Sequence, residues 1–316
     1  MGSNLIKLPL VAALLTTACM PPRDMHAANA VLAQQAIQTA KNGNISLAHM
    51  TYGNPNAPAI ILLNGVGIST QFEGDGLTRE LVTRGFRVVL MDNRDSGKSS
   101  RVRHAPDEAG DNAPAYALTD MAADVKAVLD HQRIEAAHVL GVSLGGMIGQ
   151  VFASQYPSRT LSLISVSSTS GKAGLPFGPA IAALQESPAA DSTGRAAQVR
   201  ALYLALEGTQ HRMSESELSA RIANDLAHDD PAAAQRQGAA ATASGDRTQL
   251  LNSLRAPTLV IHGSADPLFP IVHGNATAAA VPVSDLRVIE GMGHLVSDEA
   301  AAAVADSVKS FVDARK

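Results

Sequence analysis

The sequence turns on HVLGVSLGGM, residues 138–147, in which Ser143 stands two residues after Gly141 and two before Gly145. A serine spaced this way fits three roles: nucleophile, ligand in a phosphate-binding loop, or ordinary member of a tight turn. The flanks decide among them. AHVLGV (137–142) is an apolar run of strand length, and GGMIGQVFASQYP (145–157) reads as a helix stopped by proline. A buried strand passing through G-V-S-L-G into a helix is the setting of a nucleophile elbow. There a strained turn lifts the hydroxyl clear of the sheet edge, and the helix N-terminus favours negative charge.

Working outward, strands and helices alternate. AIILLNG (59–65), FRVVLMD (86–92), LSLISVSS (161–168), APTLVIHG (256–263) and DLRVIEG (285–291) are apolar runs bounded by turn residues. Helices are expected over 76–85, over 116–132 with Thr119 as cap, and over 301–314. NISLAHMTYG (44–53) alternates as an edge strand does and marks the start of the ordered domain, after a polar, alanine-rich stretch. Runs apolar at every position suit strands covered on both faces, so the fold class is α/β, a mostly parallel sheet with helices on both faces. From Gly171 to Leu254 the rhythm breaks into a polar, helix-prone stretch interrupted by Pro176, Pro179, Pro188 and Pro231. The chain thus divides into a core of residues 45–170 and 255–316 and a helical insertion, 171–254.

A serine hydroxyl needs a histidine base, and the base needs a carboxylate to fix its tautomer and stabilise the imidazolium. In this architecture the chain order is serine, acid, histidine. Asp266 follows the strand ending in HG, within HGSADPLFP, and His294 follows the last strand, within EGMGHLVSDE. Functional loops sit at the carboxyl ends of parallel strands, so both converge on Ser143. Among the other histidines, His262 ends an apolar strand and reads as packed or as support for the acid. His138 opens a strand, and His273 lies in the helix after the acid loop, packed there or lining the pocket. The oxyanion requires two backbone donors: Leu144 N–H, after the nucleophile, and Val66 N–H, in the NGVG loop after AIILL.

GKSS (97–100) echoes the end of a phosphate-binding loop, but Asp92 holds the position where that motif needs glycine, and RVRHAP follows where a helix should. Asp92, Arg94 and Gly97 are therefore expected to organise a turn. A net charge of −4, with basic residues scattered, carries no footprint for nucleic acid and favours a small-molecule substrate. The single cysteine, Cys19, excludes an internal disulfide, a thiolate zinc site and cysteine catalysis in the body of the chain. Lys7 followed by LPLVAALLTTA has the form of a signal peptide, too short for a span of about twenty residues. TTAC (16–19) resembles a lipobox that would leave Cys19 lipidated. Cleavage after Ala28-Asn29-Ala30 would instead release a periplasmic protein, and an uncleaved apolar N-terminal helix would leave it cytosolic. With aromatics at 3% and no tryptophan, sugar-stacking platforms are not expected. Leu175, Phe177, Leu202, Tyr203 and Leu206 either wall a pocket or pack the insertion against the core.

NG at 64–65, DNRDSGKS at 92–99, GVSLGG at 141–146, SADPLFP at 264–270 and GMGH at 291–294 together resemble the α/β-hydrolase fold family over residues 45–314. Within it the chain looks most like serine esterases of the aclacinomycin methylesterase type, similar in the D-x-R-D-x-G-x-S turn and in the PxxHG stretch at 270–274. The resemblance implies ester hydrolysis through an acyl-enzyme, no cofactor, and a helical cap over the pocket formed by 171–254. The family often has His-Gly where this chain has Asn64-Gly65, so the support of the oxyanion loop is expected to differ.

Overall fold

A computed structural model of the protein describes residues 36–69, 76–102 and 114–315. The segment read as an export signal, with Cys19, lies outside the described residues. In chain order the strands are β1 (Gln38–Asn42), β2 (Ile45–Tyr52), β3 (Ala59–Leu63), β4 (Arg87–Met91), β5 (Ala137–Val142), β6 (Thr160–Val166), β7 (Thr258–Gly263) and β8 (Ser284–Ile289). The core helices are α1 (Gly76–Thr83), α2 (Leu118–His131), α3 (Leu144–Gln155), α9 (Val272–Ala280) and α10 (Asp298–Asp313). Between β6 and β7 lie α4 (Ile181–Gln185), α5 (Ser192–Ala205), α6 (Glu215–Leu226), α7 (Pro231–Ala243) and α8 (Thr248–Asn252), with no strand.

The continuous apolar runs have a direct cause. Ile61, Leu63, Val89, Met91 and Val139 pack with Met121 and Val125 of α2 and with Ile148 and Phe152 of α3. Their sequence neighbours Ile60, Leu62, Val88, Leu90 and Leu140 point the other way, onto Leu81 of α1 and Val304 and Val308 of α10. Each fully buried side chain of this size contributes about 1.5–3 kcal/mol relative to exposure, and strands with two such faces hold the molecule together.

The eight strands form one sheet in the order β1-β2-β4-β3-β5-β6-β7-β8. β1 and β2 pair antiparallel, as do β2 and β4, and every other neighbouring pair is parallel. Two local expectations need correction. β2 is not the edge: β1 precedes it, joined through Gly43, so order begins before residue 44. Ala40 is the one fully buried position of β1, which leaves no apolar alternation to read. Thr119 is not the cap of α2 either. Ala117 is the N-cap, and the Asp120 carboxylate accepts its N–H at 2.8 Å, the back-reaching half of a capping box.

Asp92, Arg94 and Gly97 do organise the turn after β4. Asp92 accepts Lys98 N–H at 2.9 Å, and Gly97, at φ 48°, lies against that carboxylate. Arg94 forms a buried two-point pair with Asp124 of α2, at 2.6 and 2.9 Å. Asp95, also at positive φ, accepts Tyr116 Oη and both Nε and Nη2 of Arg236 from α7.

Sheet register then fixes the site. Val142 of β5 pairs with Val166 of β6, Val166 with Ile261 of β7, and Gly263 with Ile289 of β8. The loops carrying Ser143, Asp266 and His294 therefore leave the sheet along one edge, as parallel pairing requires.

Candidate active site

Ser143 has φ 54° and ψ −117°, a conformation that costs a side-chain-bearing residue about 1–3 kcal/mol. The surrounding backbone holds it there. Ser143 N–H donates to Val166 O at 3.0 Å, while Ser143 O accepts Gly146 N–H at 3.0 Å and Ser168 Oγ–H at 2.7 Å. The flanking glycines permit a close crossing of strand and helix. A Cβ on Gly141 would stand 2.1 Å from the Gly145 carbonyl, and one on Gly145 would stand 2.0 Å from Leu63 O. No side chain fits at either place. Leu144, the first residue of α3, presents an N–H with no intrahelical acceptor, directly beside Ser143.

Asp266 and His294 meet as the sequence predicts. His294 Nδ1–H donates to the Asp266 carboxylate, at 3.0 Å from Oδ2 and 3.2 Å from Oδ1, and both side chains are buried. Oδ1 also accepts the N–H groups of Leu268 and Phe269, each at 2.9 Å. Burial works against the charge, but facing His294, its hydrogen bond, and the neighbouring His262 and Leu268 N–H outweigh it and hold the Asp266 carboxyl below the ordinary range. The acid is thus ionised and fixed, with Nδ1 of His294 occupied by it and Nε2 the ring nitrogen on the far side.

Of the other histidines marked in the sequence, His262 and His273 pack beside the acid loop. His262, fully buried, donates from Nε2 to Phe269 O at 2.7 Å and sits 3.4 Å from Asp266 Oδ2, and burial pushes its pKa down, keeping it neutral. It fixes the acid loop. His273 contacts Thr169 Oγ1 at 2.8 Å and Pro176 O at 3.0 Å, and its ring packs 5.0 Å from Phe269. Phe269 in turn stands edge-on to His294 at 5.4 Å. His138 faces Ser162 at 2.7 Å within the sheet, away from the loops.

The NGVG loop lies against Ser143: a Cβ on Gly65 would be 3.5 Å from Ser143 Cβ and 3.9 Å from Ser143 Oγ. Val66, next in the chain, is half-buried. The loop is held at both ends by side-chain amides, since Asn93 Nδ2 donates to Asn64 O at 3.1 Å and Gly67 N–H donates to Gln237 Oε1 at 2.8 Å. Neither amide is in the set the sequence marks. Asn93 sat in view within the DNRDSGKS turn, whereas Gln237, inside an alanine-rich helix, has no local signal.

The insertion closes over these loops. Phe177, 57% exposed, packs at 5.8 Å on Phe269 and so extends an aromatic wall from the surface toward His294. Leu202 and Leu206 pack into the core, and Tyr203 is buried with its hydroxyl donating to Asp225 Oδ2 at 2.6 Å. His294 N–H donates to Leu206 O at 2.9 Å, and backbone meets backbone where a Cβ on Gly208 would fall 2.2 Å from Gly291 O and 2.4 Å from Gly293 N.

A mostly parallel sheet with a serine elbow, an acid after β7 and a histidine after β8 defines an α/β hydrolase. Residues 58–301 match the alpha/beta hydrolase fold family, and the chain belongs to it. It is 28% identical over 278 residues to rhodomycin D methylesterase of Streptomyces peucetius, covering 80% of this chain and 90% of that protein. It is 29% identical over 273 residues to a putative carbamate hydrolase of Variovorax paradoxus, covering 84% and 96%. A crystal structure of a hydrolase from Pseudomonas aeruginosa superposes with a TM-score of 0.68 at 27% identity, covering 87% of this chain and 98% of that one.

Proposed function

We propose that the protein is a serine hydrolase that cleaves a carboxylic ester through an acyl-enzyme. The observation that carries this reading is the buried Asp266–His294 pair on the sheet edge from which Ser143 projects, with the glycine loop against its hydroxyl. Ser143 Oγ attacks the ester carbonyl as its proton passes to His294 Nε2. The N–H groups of Val66 and Leu144 bind the oxyanion, and such donors are each worth about a hundredfold or more in rate. His294 then protonates the leaving alcohol, and water, deprotonated by His294, releases the acid and restores Ser143. Asp266 holds the imidazole in the required tautomer and stabilises its cation.

The substrate is a small or medium ester of apolar character, accommodated along Phe269 and Phe177. The methylesterase relatives support ester cleavage over the other reactions of this fold. The test is covalent labelling by a fluorophosphonate, expected for the native chain and lost in Ser143→Ala, together with turnover of p-nitrophenyl esters of graded chain length. Retained esterase activity in Ser143→Ala would overturn the assignment. Turnover of lactones or carbamates but of no ester would keep the nucleophile and replace the substrate class.

A further inference from the structure

Gln237 belongs to the cap, yet it is fully buried and all its bonds run to the core side of the site. Its Oε1 accepts Gly67 N–H at 2.8 Å, and its Nε2 donates to Arg94 O at 2.6 Å and Ser96 Oγ at 2.8 Å. These partners fix the amide orientation, because a flip would set its oxygen against the Arg94 carbonyl and its nitrogen against the Gly67 N–H. Arg94 and Ser96 lie in the turn after β4, and that same turn supplies Asn93, which binds Asn64 O. The loop is therefore tied to one rigid turn before and after Val66, directly through Asn93 at the Asn64–Gly65 peptide and indirectly through Gln237 at the Val66–Gly67 peptide. Arg236, the residue before, clamps α7 to the turn with two bonds to Asp95, at 2.7 and 2.9 Å. Further along the loop, Asn224 of α6 donates to Ser69 O at 3.3 Å.

We propose that Gln237 is a positioning residue for the oxyanion hole, so that the cap sets the direction of Val66 N–H as well as enclosing the substrate. The inference rests on the serine-hydrolase reading above. Without Gln237, Gly67 N–H loses its acceptor, and the stretch around Val66 is held only from Asn64 before it and Ser69 beyond it. Val66 N–H then drifts relative to Ser143, and the loss falls on the tetrahedral state, where charge sits on the oxygen, more than on bound ester.

The experiment compares Gln237→Leu, which removes all three bonds at similar volume, and Gln237→Glu, which retains an acceptor for Gly67, with the native chain. The assays are p-nitrophenyl butyrate hydrolysis, inhibition by an alkyl trifluoromethyl ketone, and thermal melting. Gln237→Leu is expected to lose about 10- to 100-fold in kcat with KM within about threefold, and to bind the ketone more weakly by a similar factor. Gln237→Glu should fall between it and the native enzyme. A native kcat and ketone affinity in Gln237→Leu, a loss confined to KM, or a kcat loss with unchanged ketone affinity would each overturn the proposal. Should Gln237→Leu not fold, Gln237→Glu decides by the same criteria. A native chain that neither hydrolyses esters nor takes the fluorophosphonate label at Ser143 would instead bring down the function on which the inference rests.

Discussion

The two walls of the site are built by different means. Ser143 is held by backbone bonds to Val166 and Gly146, by the Ser168 hydroxyl on its carbonyl, and by glycine contacts that admit no side chain. The NGVG loop opposite is held by two side-chain amides, Asn93 from a neighbouring turn and Gln237 from the insertion. The first construction tolerates nothing but glycine at two positions. The second depends on partners 29 and 170 residues away in sequence. A wall made of main chain is rigid by local geometry, whereas one made of side chains is only as rigid as the element that carries them.

Four expected outcomes bear on this contrast. Ser143→Ala and His294→Ala should each lower kcat by about 10⁶, and the double variant hardly further, because the members act as one unit. A strictly additive loss in steady-state kinetics would separate them. Asp266→Asn should cost about 10⁴ in kcat with the fold intact, since the amide can donate to His294 and set the wrong tautomer. Because its folded-state pKa is lowered, the Asp266 carboxylate adds stability above the unfolded carboxyl range and loses it as pH falls through the folded value. The variant should flatten that acid limb in a pH series of denaturant melts.

Gly208→Ala probes the place where the cap lies backbone to backbone on the histidine loop. The added methyl should cost about 1–3 kcal/mol of stability and reduce kcat, read by chemical denaturation and by turnover. The smallest effect concerns Asp225, whose carboxyl is pushed up to about 6, chiefly by burial. A raised carboxyl pKa contributes stability at low pH that disappears as pH rises from the unfolded value through about 6. Asp225→Asn keeps an acceptor for Tyr203, so it should stabilise the protein at pH 8 by no more than about 3 kcal/mol and leave it nearly unchanged near pH 4. A variant less stable than native at pH 8 would show that the ionised form is needed to hold the cap.

The same contrast explains what the sequence could show. Strand β5, the G-V-S-L-G turn and helix α3 are contiguous, so Ser143 and Leu144 are read from ten residues. Asp266 and His294 each follow a strand by a few residues, which suffices because parallel register brings those loop ends together. β1 escaped because only Ala40 is buried along it, although Asn42-Gly43 carried a hairpin signal. Gln237 escaped for a deeper reason. Its neighbours are alanine, arginine and glutamine in an ordinary helical pattern, and its meaning exists only once α7 is laid against the turn after β4. His262 was read as packed or supporting and proves to do both, holding Phe269 O beside the acid.

The close meeting of Gly208 with Gly291 and Gly293 has a consequence for anyone who would reshape this enzyme by exchanging parts. A cap taken from another hydrolase brings its own residue to the position of Gly208, and any side chain there levers the histidine loop outward. Grafts are therefore best cut inside that contact, so that α4 and the exposed face of α5 are replaced while Gly208 and α7 stay native. Diversity introduced at Phe177 and its neighbours can then retune which substrates enter without disturbing the loops beneath.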